Sequence, residues 1–324
     1  MSQVFVTGAS GFLGGHLARE LLAAGHAVRA LSRRAETDGP MHSAGIEPVR
    51  ASLADADSLR AALVGCEAVF HAAADTSTWR AEAAVQRATN VAGTQHLLAA
   101  AADAGVAAFM HTSSISAWSH RVRGRVDENV PQRGADSWIN YERTKFESEA
   151  LVKASPLPWI VFNPTQILGP GDRYNWARLI VLVDQHKLPG TPPGGGAFAD
   201  VREIARAQVR AWQQRRFGER FILAGEPASF LDFVGRIGQH LGRPVPARAT
   251  PAWLMMALAR VLNLVSQISG APPRITPEAA TLTSRTIEAD DSKARRELGY
   301  RHTPLDALLA DMLAWMKTEG LIAA

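Results

Sequence analysis

Short apolar runs alternate with segments of helical periodicity through the first half of the chain. The runs predict buried strands at residues 4–7, 27–32, 46–51, 68–71, 107–112 and 159–162. Between them, apolar residues spaced three and four apart predict helices at residues 12–24, 58–64, 85–104 and 137–153. Strands that alternate with helices in this way predict an α/β fold, with a doubly wound parallel sheet covered by helices.

The pattern changes after residue 163, where glycine and proline become frequent. Helices are predicted at residues 201–214, 230–241 and 251–265, with one more strand at 220–224. We expect one domain at residues 1–163, to which residues 197–224 return, and a smaller α/β lobe that holds most of residues 164–324. Ligands of open α/β sheets lie outside the carboxyl ends of the strands, so we expect the site in the loops at that edge.

Composition narrows the class of protein. The 324 residues are 47% hydrophobic and 20% charged with a net charge of +4, which is typical of a globular protein and not of a disordered or fibrous one. The mild basic excess forms no long block, so we expect no nucleic-acid partner. The single cysteine, Cys66, excludes an intrachain disulfide, and the ten histidines lack metal-site spacing, so we expect no metal.

No segment predicts a leader peptide or a membrane anchor. The N-terminus lacks a basic segment followed by a long apolar run, and the most apolar stretch, residues 253–265, is interrupted by Arg260 and Asn263. That stretch falls short of the ~20 residues of a spanning helix and has no face of Lys and Arg. We therefore expect it in the core of the lobe, no stable membrane insertion, and a cytoplasmic protein.

A glycine-rich turn connects the first predicted strand to the first predicted helix. The segment TGASGFLG places Gly8, Gly11 and Gly14 three residues apart. Glycine permits a tight turn and lets backbone N–H groups approach a pyrophosphate at a helix N-terminus. The motif alone also fits an ordinary turn, but its place after the first strand favours a dinucleotide site.

Two arginines follow the second predicted strand. An NAD site places an acid there to hold the ribose 2′-hydroxyl, whereas an arginine suits the 2′-phosphate of NADP. This chain has Ser32, Arg33 and Arg34, and its first acid is Glu36. A guanidinium pairs with a phosphate through two hydrogen bonds, so we expect NADPH, held first by Arg33 and second by Arg34, rather than NAD. The alternative is a pair of solvated loop arginines.

A tyrosine and a lysine stand one helical turn apart in YERTK. Tyr141 and Lys145 share a face of the predicted helix, and the strand upstream ends in Thr112, Ser113 and Ser114. Tyrosine is a weak acid with a pKa of about 10, but a neighbouring ammonium favours the phenolate and makes proton exchange feasible. The Y-x-x-x-K spacing alone is common on surface helices. Combined with the glycine turn and the serines, it indicates redox chemistry on a carbonyl or alcohol.

Further motifs extend over nearly the whole chain. They are VFHAAA at 69–74, NVAGTQHLL at 90–98, TSSISAW at 112–118, NPTQILGPGD at 163–172 and KARRELGY at 293–300. With these, the chain resembles the extended short-chain dehydrogenase/reductases, the NAD-dependent epimerase/dehydratase family. Its motifs are most similar to the dihydroflavonol-reductase-like and 3β-hydroxysteroid-dehydrogenase-like members. The resemblance implies an NADP-binding Rossmann domain at residues 1–163 and a smaller C-terminal substrate lobe.

The resemblance also implies a role for individual residues. Ser114 would be the catalytic serine, Tyr141 the proton donor, and Lys145 the residue that holds the nicotinamide ribose. The implied cofactor contacts are Gly8, Gly11, Phe12, Leu13, Gly14, Arg33, Arg34, Ser52, Leu53, Ala72, Ala73, Tyr141, Lys145, Pro164 and Ile167. Many relatives pair through their fourth and fifth helices, so the resemblance also allows for a homodimer.

Two departures from the family pattern affect the expected ligands. Relatives usually carry Asp-Leu after the third strand to contact adenine, and this chain has Ser52-Leu53. Sugar-nucleotide epimerases tend to carry an arginine for the diphosphate where this chain has Gly196. We therefore expect adenine binding to be kept but weakened, and a sugar-nucleotide substrate is disfavoured.

Large aromatic residues occupy the loops at the expected site. Aromatic walls suit a flat, apolar carbonyl compound, although some of these residues would instead pack the lobe. The expected pocket residues are Trp79, Trp118, Trp138, Tyr174 and Trp176. The basic segment RVRGR at residues 121–125 would either clamp an anionic substrate or be solvated.

Three functions remain open from the sequence. The first is an NADPH-dependent oxidoreductase that transfers a hydride between nicotinamide and a small apolar or aromatic carbonyl compound. The second is an NAD-dependent sugar-nucleotide epimerase or dehydratase. The third is a non-catalytic NADP-binding regulatory protein, which the complete Ser, Tyr and Lys set argues against.

Overall fold

The computed structural model describes residues 1–323 and is organised around one parallel sheet. The strands are β1 (Gln3–Thr7), β2 (Ala27–Ser32), β3 (Glu47–Arg50), β4 (Ala68–His71), β5 (Ala108–Thr112), β6 (Arg125–Val126), β7 (Trp159–Pro164), β8 (Gln166–Leu168), β9 (Gly195–Asp200), β10 (Glu219–Leu223), β11 (Glu226–Ser229) and β12 (Glu288–Ala289). The helices are α1 (Phe12–Ala23), α2 (Asp38–Ser43), α3 (Ala56–Leu63), α4 (Ala83–Arg87), α5 (Gly93–Asp103), α6 (Asn140–Ala154), α7 (Trp176–Asp184), α8 (Val201–Gln213), α9 (Phe230–Leu241), α10 (Ala252–Ser269), α11 (Pro277–Thr283), α12 (Ser292–Leu298) and α13 (Leu305–Thr318).

The main sheet has seven strands in the order β10-β7-β5-β4-β1-β2-β3, all parallel. From β1 the chain runs outward to β3, and it then crosses back to β4 and runs outward to β10 on the other side. The point where the direction reverses lies between β1 and β4, and in doubly wound sheets this crevice binds the ligand. The predicted doubly wound Rossmann fold is therefore confirmed.

Buried apolar residues cover both faces of this sheet. On one face, Leu17 of α1 and Ile204 of α8 join the core with Leu298 of α12. On the other face, Leu59 of α3 and Leu97 of α5 do the same, together with Val152 of α6. Two-sided burial explains why the strands read as continuous apolar runs rather than as alternating ones.

The second half of the chain divides between this sheet and a smaller lobe. Helix α8 packs against the sheet face and β10 extends its edge, so residues 201–223 lie in the main domain. The lobe has its own three-stranded sheet, β11-β9-β8, and its own core from α7, α9 and α13. It follows β7 directly, so it stands beside the carboxyl edge of the main sheet.

Helix α10 departs from its predicted place. The expectation that this apolar segment forms lobe core is wrong, because the residues buried along it are Met255, Ala259 and Ser266. By length and composition α10 is the one helix within residues 1–323 that would be able to cross a membrane, and 17% of it is buried. Most of its apolar side chains face solvent.

Candidate active site

The glycine turn brings β1, α1 and the end of β4 into contact. Gly8 has a φ of +78°, and a Cβ added there would lie 2.9 Å from the backbone nitrogen of Ala73. A Cβ on Gly14 would lie 2.1 Å from the carbonyl oxygen of Gly8. Only glycine fits either position, which explains their place in the motif.

The start of α1 fits a pyrophosphate. The helix begins at Phe12 and Leu13, its N-cap Gly11 offers no capping side chain, and its first turn holds no acid. Its first N–H groups therefore lack side-chain partners and face the crevice between β1 and β4. Together with the glycines, they form the cradle that a dinucleotide requires.

The ends of β2 and β3 form a basic surface beside this cradle. Arg33 and Arg34 are exposed, and Arg34 lies 3.6 Å from Glu36. The hydroxyl of Ser32 accepts a hydrogen bond from Arg50 at 2.9 Å and itself donates to Asp38. Arg50 also pairs with Asp38. These side chains are candidates for holding the adenosine ribose of a dinucleotide.

Arg50 and Asp38 were missed in the sequence. No local signal in the sequence marks Arg50, because it meets Ser32 only through the pairing of β2 with β3. Asp38 lies on the short helix α2, which had not been predicted. The acid that contacts the end of β2 is thus Asp38, whereas Glu36, the first acid in the sequence after β2, lies near Arg34.

Ser52 and Leu53 form the wall next to this basic surface. The Ser52 hydroxyl accepts a hydrogen bond from the backbone of Ala54 at 3.2 Å and keeps its own proton free to donate. Leu53 packs against Gly93, and its carbonyl accepts from His96 at 2.8 Å. The Ser52 hydroxyl is thus partly engaged by its own turn.

Ala72 and Ala73 close the crevice on the β4 side. The Ala73 N–H donates to the Thr7 hydroxyl at 3.1 Å, and Ala72 N–H donates to the Thr7 carbonyl at 3.3 Å. Both alanines therefore present backbone and small side chains to the space above the glycine turn. Pro164 ends β7, and Ile167 lies partly buried in β8, both at the same carboxyl edge.

Ser114 and Tyr141 are neighbours. Burial raises the pKa of Tyr141, a hydrogen bond with the Ser114 side chain lowers it, and the nearby Asp75 carboxylate raises it. Ser114 follows the end of β5, and Tyr141 stands in the first turn of α6. The phenol is thus kept in its protonated form, as a proton donor must be before it acts.

Lys145 lies one turn further along α6, in a buried position. Its Nζ donates to the carbonyl oxygen of Thr112 at 3.1 Å. Burial lowers the pKa of Lys145 to about 8, and the carboxylate of Glu149 raises it. We expected Lys145 to lower the Tyr141 pKa, but in this structure the group that does so is Ser114.

Tyr141 lines a cavity of about 360 Å³ between two tryptophans. The cavity is lined by Ser77, Thr78, Trp79, Arg80, Ala83, Gln86, Trp138, Ile139, Asn140, Tyr141, Arg143 and Glu278. Arg80 lies 5.6 Å above the Trp138 ring and pairs with Glu278 of the lobe at 3.1 Å. The cavity thus combines an aromatic wall with a charged rim.

Three of the five expected pocket aromatics lie elsewhere. The expectation for Trp118 is wrong: it is fully buried, and its Nε1 donates to the Val130 carbonyl at 2.8 Å. Trp176 packs into the lobe core against Phe198, Phe230 and Phe233, so it too was misassigned. Tyr174 is 71% exposed and does not line this cavity. Trp79 and Trp138 are the two that meet Tyr141.

A second recess of about 620 Å³ lies beside the first. It is lined by His120, Arg121, Val122, Arg123, Gly124, Arg133, Arg285, Thr286 and Glu288. His120 separates the two spaces, since it contacts Trp138 and donates to the buried Glu142 carboxylate. Residues 121–124 of the basic segment therefore line a recess next to the site and not the wall around Tyr141, and Arg125 pairs with Asp290 instead.

Comparison with known proteins identifies relatives across the whole chain. A model of the NAD dependent epimerase/dehydratase family matches residues 4–224. A protein of Synechocystis sp. named "Putative dihydroflavonol 4-reductase" is 30% identical over 98% of this chain and 95% of its own. The 4-hydroxy-2-methyl-3-oxo-4-farnesyl-3,4-dihydroquinoline-1-oxide ketoreductase of Stigmatella aurantiaca is 31% identical over 92% of this chain and 91% of its own.

A solved structure agrees with the fold over its full length. The crystal structure of gox2253 covers 99% of this chain and 100% of its own, with a TM-score of 0.84 and 28% identity. The match includes the lobe as well as the main sheet, so the relative is similar in both parts of the molecule.

Proposed function

The chain belongs to the NAD dependent epimerase/dehydratase family of NAD(P)-dependent enzymes, and on that premise we propose that it is an NADPH-dependent reductase of apolar or aromatic carbonyl compounds. The observation that carries the proposal is the position of Tyr141, which contacts Ser114 on one side and the cavity between Trp79 and Trp138 on the other. A carbonyl compound in that cavity would meet a proton donor and a second hydroxyl together.

The residues of the chain divide the chemistry between them. When bound, NADPH supplies the hydride that is added to the carbonyl carbon. Tyr141 gives its phenolic proton to the carbonyl oxygen, and the product is the alcohol. Ser114 holds that oxygen by a hydrogen bond in the crevice. Lys145, whose Nζ donates to the Thr112 carbonyl, would hold the nicotinamide ribose.

The preference for NADPH is supported by three guanidinium groups at one strand edge. Arg50 donates to the Ser32 hydroxyl at the end of β3, and the exposed Arg33 and Arg34 directly follow Ser32 at the end of β2. A phosphate on the ribose would pair with these groups through charge-assisted hydrogen bonds. Asp38 is the counter-argument, because its carboxylate would hold a free 2′-hydroxyl, and it is at present paired with Arg50.

The substrate class is supported by the cavity wall and by a relative. Trp79 and Trp138 offer flat apolar faces next to Tyr141. The Stigmatella relative is named as a ketoreductase of a farnesyl-substituted dihydroquinoline, a compound that combines an aromatic ring with an apolar farnesyl chain. The Arg80–Glu278 pair would lie over the bound compound, linking the main domain to the lobe.

A sugar-nucleotide epimerase or dehydratase is the alternative that the family name suggests. It is disfavoured by Gly196, where such enzymes tend to carry an arginine. A Cβ on Gly196 would lie 2.3 Å from the Gln166 side chain, so this position has no room for a larger residue unless Gln166 moves. A non-catalytic NADP-binding protein is the third possibility, and the Ser114–Tyr141 contact gives no reason to favour it.

The test compares Tyr141→Phe with Tyr174→Phe, whose ring is exposed to solvent. We expect both variants to bind NADPH like the unaltered protein, measured by nucleotide fluorescence. With a panel of aromatic aldehydes and ketones, Tyr141→Phe should lose at least 100-fold in kcat, since proton donation contributes about 10² to 10⁴. Tyr174→Phe should keep full turnover.

Two results would overturn the proposal. Full activity in Tyr141→Phe would remove the phenol from the chemistry. Purified protein that carries NAD⁺ which does not exchange, and that a UDP-sugar protects against thermal unfolding, would favour the epimerase instead.

A further inference from the structure

Helix α10 exposes an unusually large apolar surface. Trp253 is 72% exposed and Ile268 is 90% exposed, at opposite ends of the helix. The other strongly exposed apolar side chains between them are Leu254, Leu258, Val261, Leu264 and Val265. Soluble monomers rarely expose a contiguous apolar patch of this kind without a partner.

The exposed residues form one face of the helix. At 100° per residue, Trp253, Leu264, Ile268 and Leu258 fall within a sector about 140° wide, directly opposite the buried face. Arg260 lies at the edge of that sector with Asn263 and Gln267 behind it. The helix therefore presents its apolar face to solvent, on the side away from the protein.

The buried face fixes the helix flat against the lobe. Met255 and Ala259 pack with Ala280 of α11 in a small core of their own. A helix whose first half is packed in this way cannot cross a bilayer without leaving that core. The apolar face can only approach a surface side-on, in the geometry of an interfacial helix.

The charges around this face have one sign. From residue 233 to residue 277 the chain carries five arginines and no Asp or Glu. Arg236 and Arg243 pair with acids elsewhere in the protein. Arg248, Arg260 and Arg274 are exposed and have no ion-pair partner within residues 1–323. They precede, interrupt and follow the apolar face.

We propose that α10 docks the protein onto the surface of an anionic lipid bilayer, with Trp253, Leu264 and Ile268 inserted among the acyl chains. The three unpaired arginines would then lie at the level of the headgroups, where each is attracted by the negative surface potential. Trp253 would occupy the interface that tryptophan prefers. A second copy of the chain suits this face less well, because it would bring two sets of arginines together with no acid to oppose them.

Docking in this orientation would place the active-site cavity near the lipid. The helix α11 that supports α10 also carries Glu278, which lines that cavity. The Thr276 hydroxyl before it donates to Thr78 of the same wall at 2.9 Å. An apolar compound dissolved in the bilayer would be one helix away from Tyr141.

The test is sedimentation of the full chain with vesicles. Vesicles of phosphatidylcholine with phosphatidylglycerol are compared with vesicles of phosphatidylcholine alone, at low and high salt. We expect at least tenfold more bound protein on the anionic vesicles at low salt, and at least a tenfold loss in Leu264→Glu/Ile268→Glu. Arg248→Gln/Arg260→Gln/Arg274→Gln should lose binding to the anionic vesicles by a similar factor.

A matched control introduces the same charges at exposed apolar residues elsewhere. Val64→Glu/Tyr174→Glu should bind vesicles like the unaltered protein, and NADPH binding in every variant verifies folding. Protein that stays in solution with both vesicle types would overturn the proposal. A dimer in size-exclusion chromatography that Leu264→Glu/Ile268→Glu converts to a monomer would assign the face to a second copy. Because the measurement involves no turnover, failure here is separate from failure of the proposed reductase.

Discussion

Arg50 donates a hydrogen bond from Nη1 to the Ser32 hydroxyl at 2.9 Å and so joins the ends of β2 and β3. The same guanidinium pairs with Asp38, which also accepts from Ser32. The proposed binding edge for the ribose phosphate thus already contains a cation that is compensated by a carboxylate. A phosphate at this edge would compete with Asp38 for Arg50.

Replacement of Arg50 should therefore separate the two cofactors. Arg50→Ala should weaken NADPH binding by about 10- to 100-fold, since a hydrogen bond to a charged group contributes about 1.5–3 kcal/mol. NADH affinity should change little, because its ribose carries no phosphate at that edge. Titration of both nucleotides is the measurement, and Arg60→Ala, at an exposed pair with Asp57, is the control.

Replacement of Asp38 should change the NADPH affinity in the opposite direction. Asp38→Asn removes a negative charge next to the expected phosphate and releases Arg50, so NADPH should bind more tightly than to the unaltered protein. The same titration measures it. Weaker NADPH binding in Asp38→Asn, or tighter binding of NADH than NADPH by the unaltered protein, would contradict the assignment of this edge to a phosphate.

Local patterns were sufficient for most of the main sheet but not for this edge. The central strands of the sheet are buried on both faces, so each of them appears in the sequence as an apolar run, and Gly8 and Gly14 mark the turn after β1. Ser32 and Arg50 come together through the register of two strands, which no local pattern contains. The lobe sheet was missed because β8 is short and β9 begins with two glycines, which are typical of loops.

The sequence also could not show which side of an apolar helix packs against the protein. An apolar helix reads the same whether its apolar face meets a core or solvent, so α10 was placed inside the lobe. Trp118 follows Ser114 closely and Trp138 closely precedes Tyr141, so the sequence treats the two alike. Only the turn after Ser114, seen in the structure, decides that Trp118 is buried. Side-chain direction in a loop depends on tertiary packing that periodicity does not describe.

The two tryptophans should respond differently to truncation. Trp118→Ala should lower the free energy of unfolding by about 3–5 kcal/mol, since it empties a fully buried site under the Arg220 guanidinium. Trp138→Ala should change the stability much less and raise KM for an aromatic substrate, because the ring lines the cavity beside Tyr141. Chemical denaturation and steady-state kinetics check the pair, and the reverse pattern would return Trp118 to the pocket.

The glycine turn gives a prediction about cofactor binding. A Cβ on Gly14 would collide with the Gly8 carbonyl, so Gly14→Ala should displace α1 from the turn and abolish measurable NADPH binding. Gly39 has nothing within 4 Å of an added Cβ, which makes Gly39→Ala a suitable control with unchanged binding. NADPH affinity in Gly14→Ala equal to that of the control would show that the pyrophosphate lies elsewhere.

His71 makes the stability depend on pH. Its Nε2 donates to the Thr94 hydroxyl at 2.9 Å, because the Thr94 proton is given to the Asn90 carbonyl. Its Nδ1 then accepts from the Thr7 hydroxyl at 2.7 Å, so the buried ring is neutral and would lose this bond on protonation. Burial, with the Lys145 charge second, lowers the pKa of His71 from 6.5 to about 3.

The direction of the pH dependence follows from the difference between the pKa of His71 in the unfolded chain and in the folded protein. Between pH 6.5 and about 3 the unfolded chain takes up a proton that the folded protein refuses, so stability is complete above this window and decreases as the pH falls through it. The contribution of His71 is about 1.4 kcal/mol per pH unit at most. His71→Asn should reduce the slope of unfolding free energy against pH by up to that amount, whereas His42→Asn at an exposed site should leave it unchanged. An unaltered slope in His71→Asn would mean that the ring already carries its proton in the folded protein.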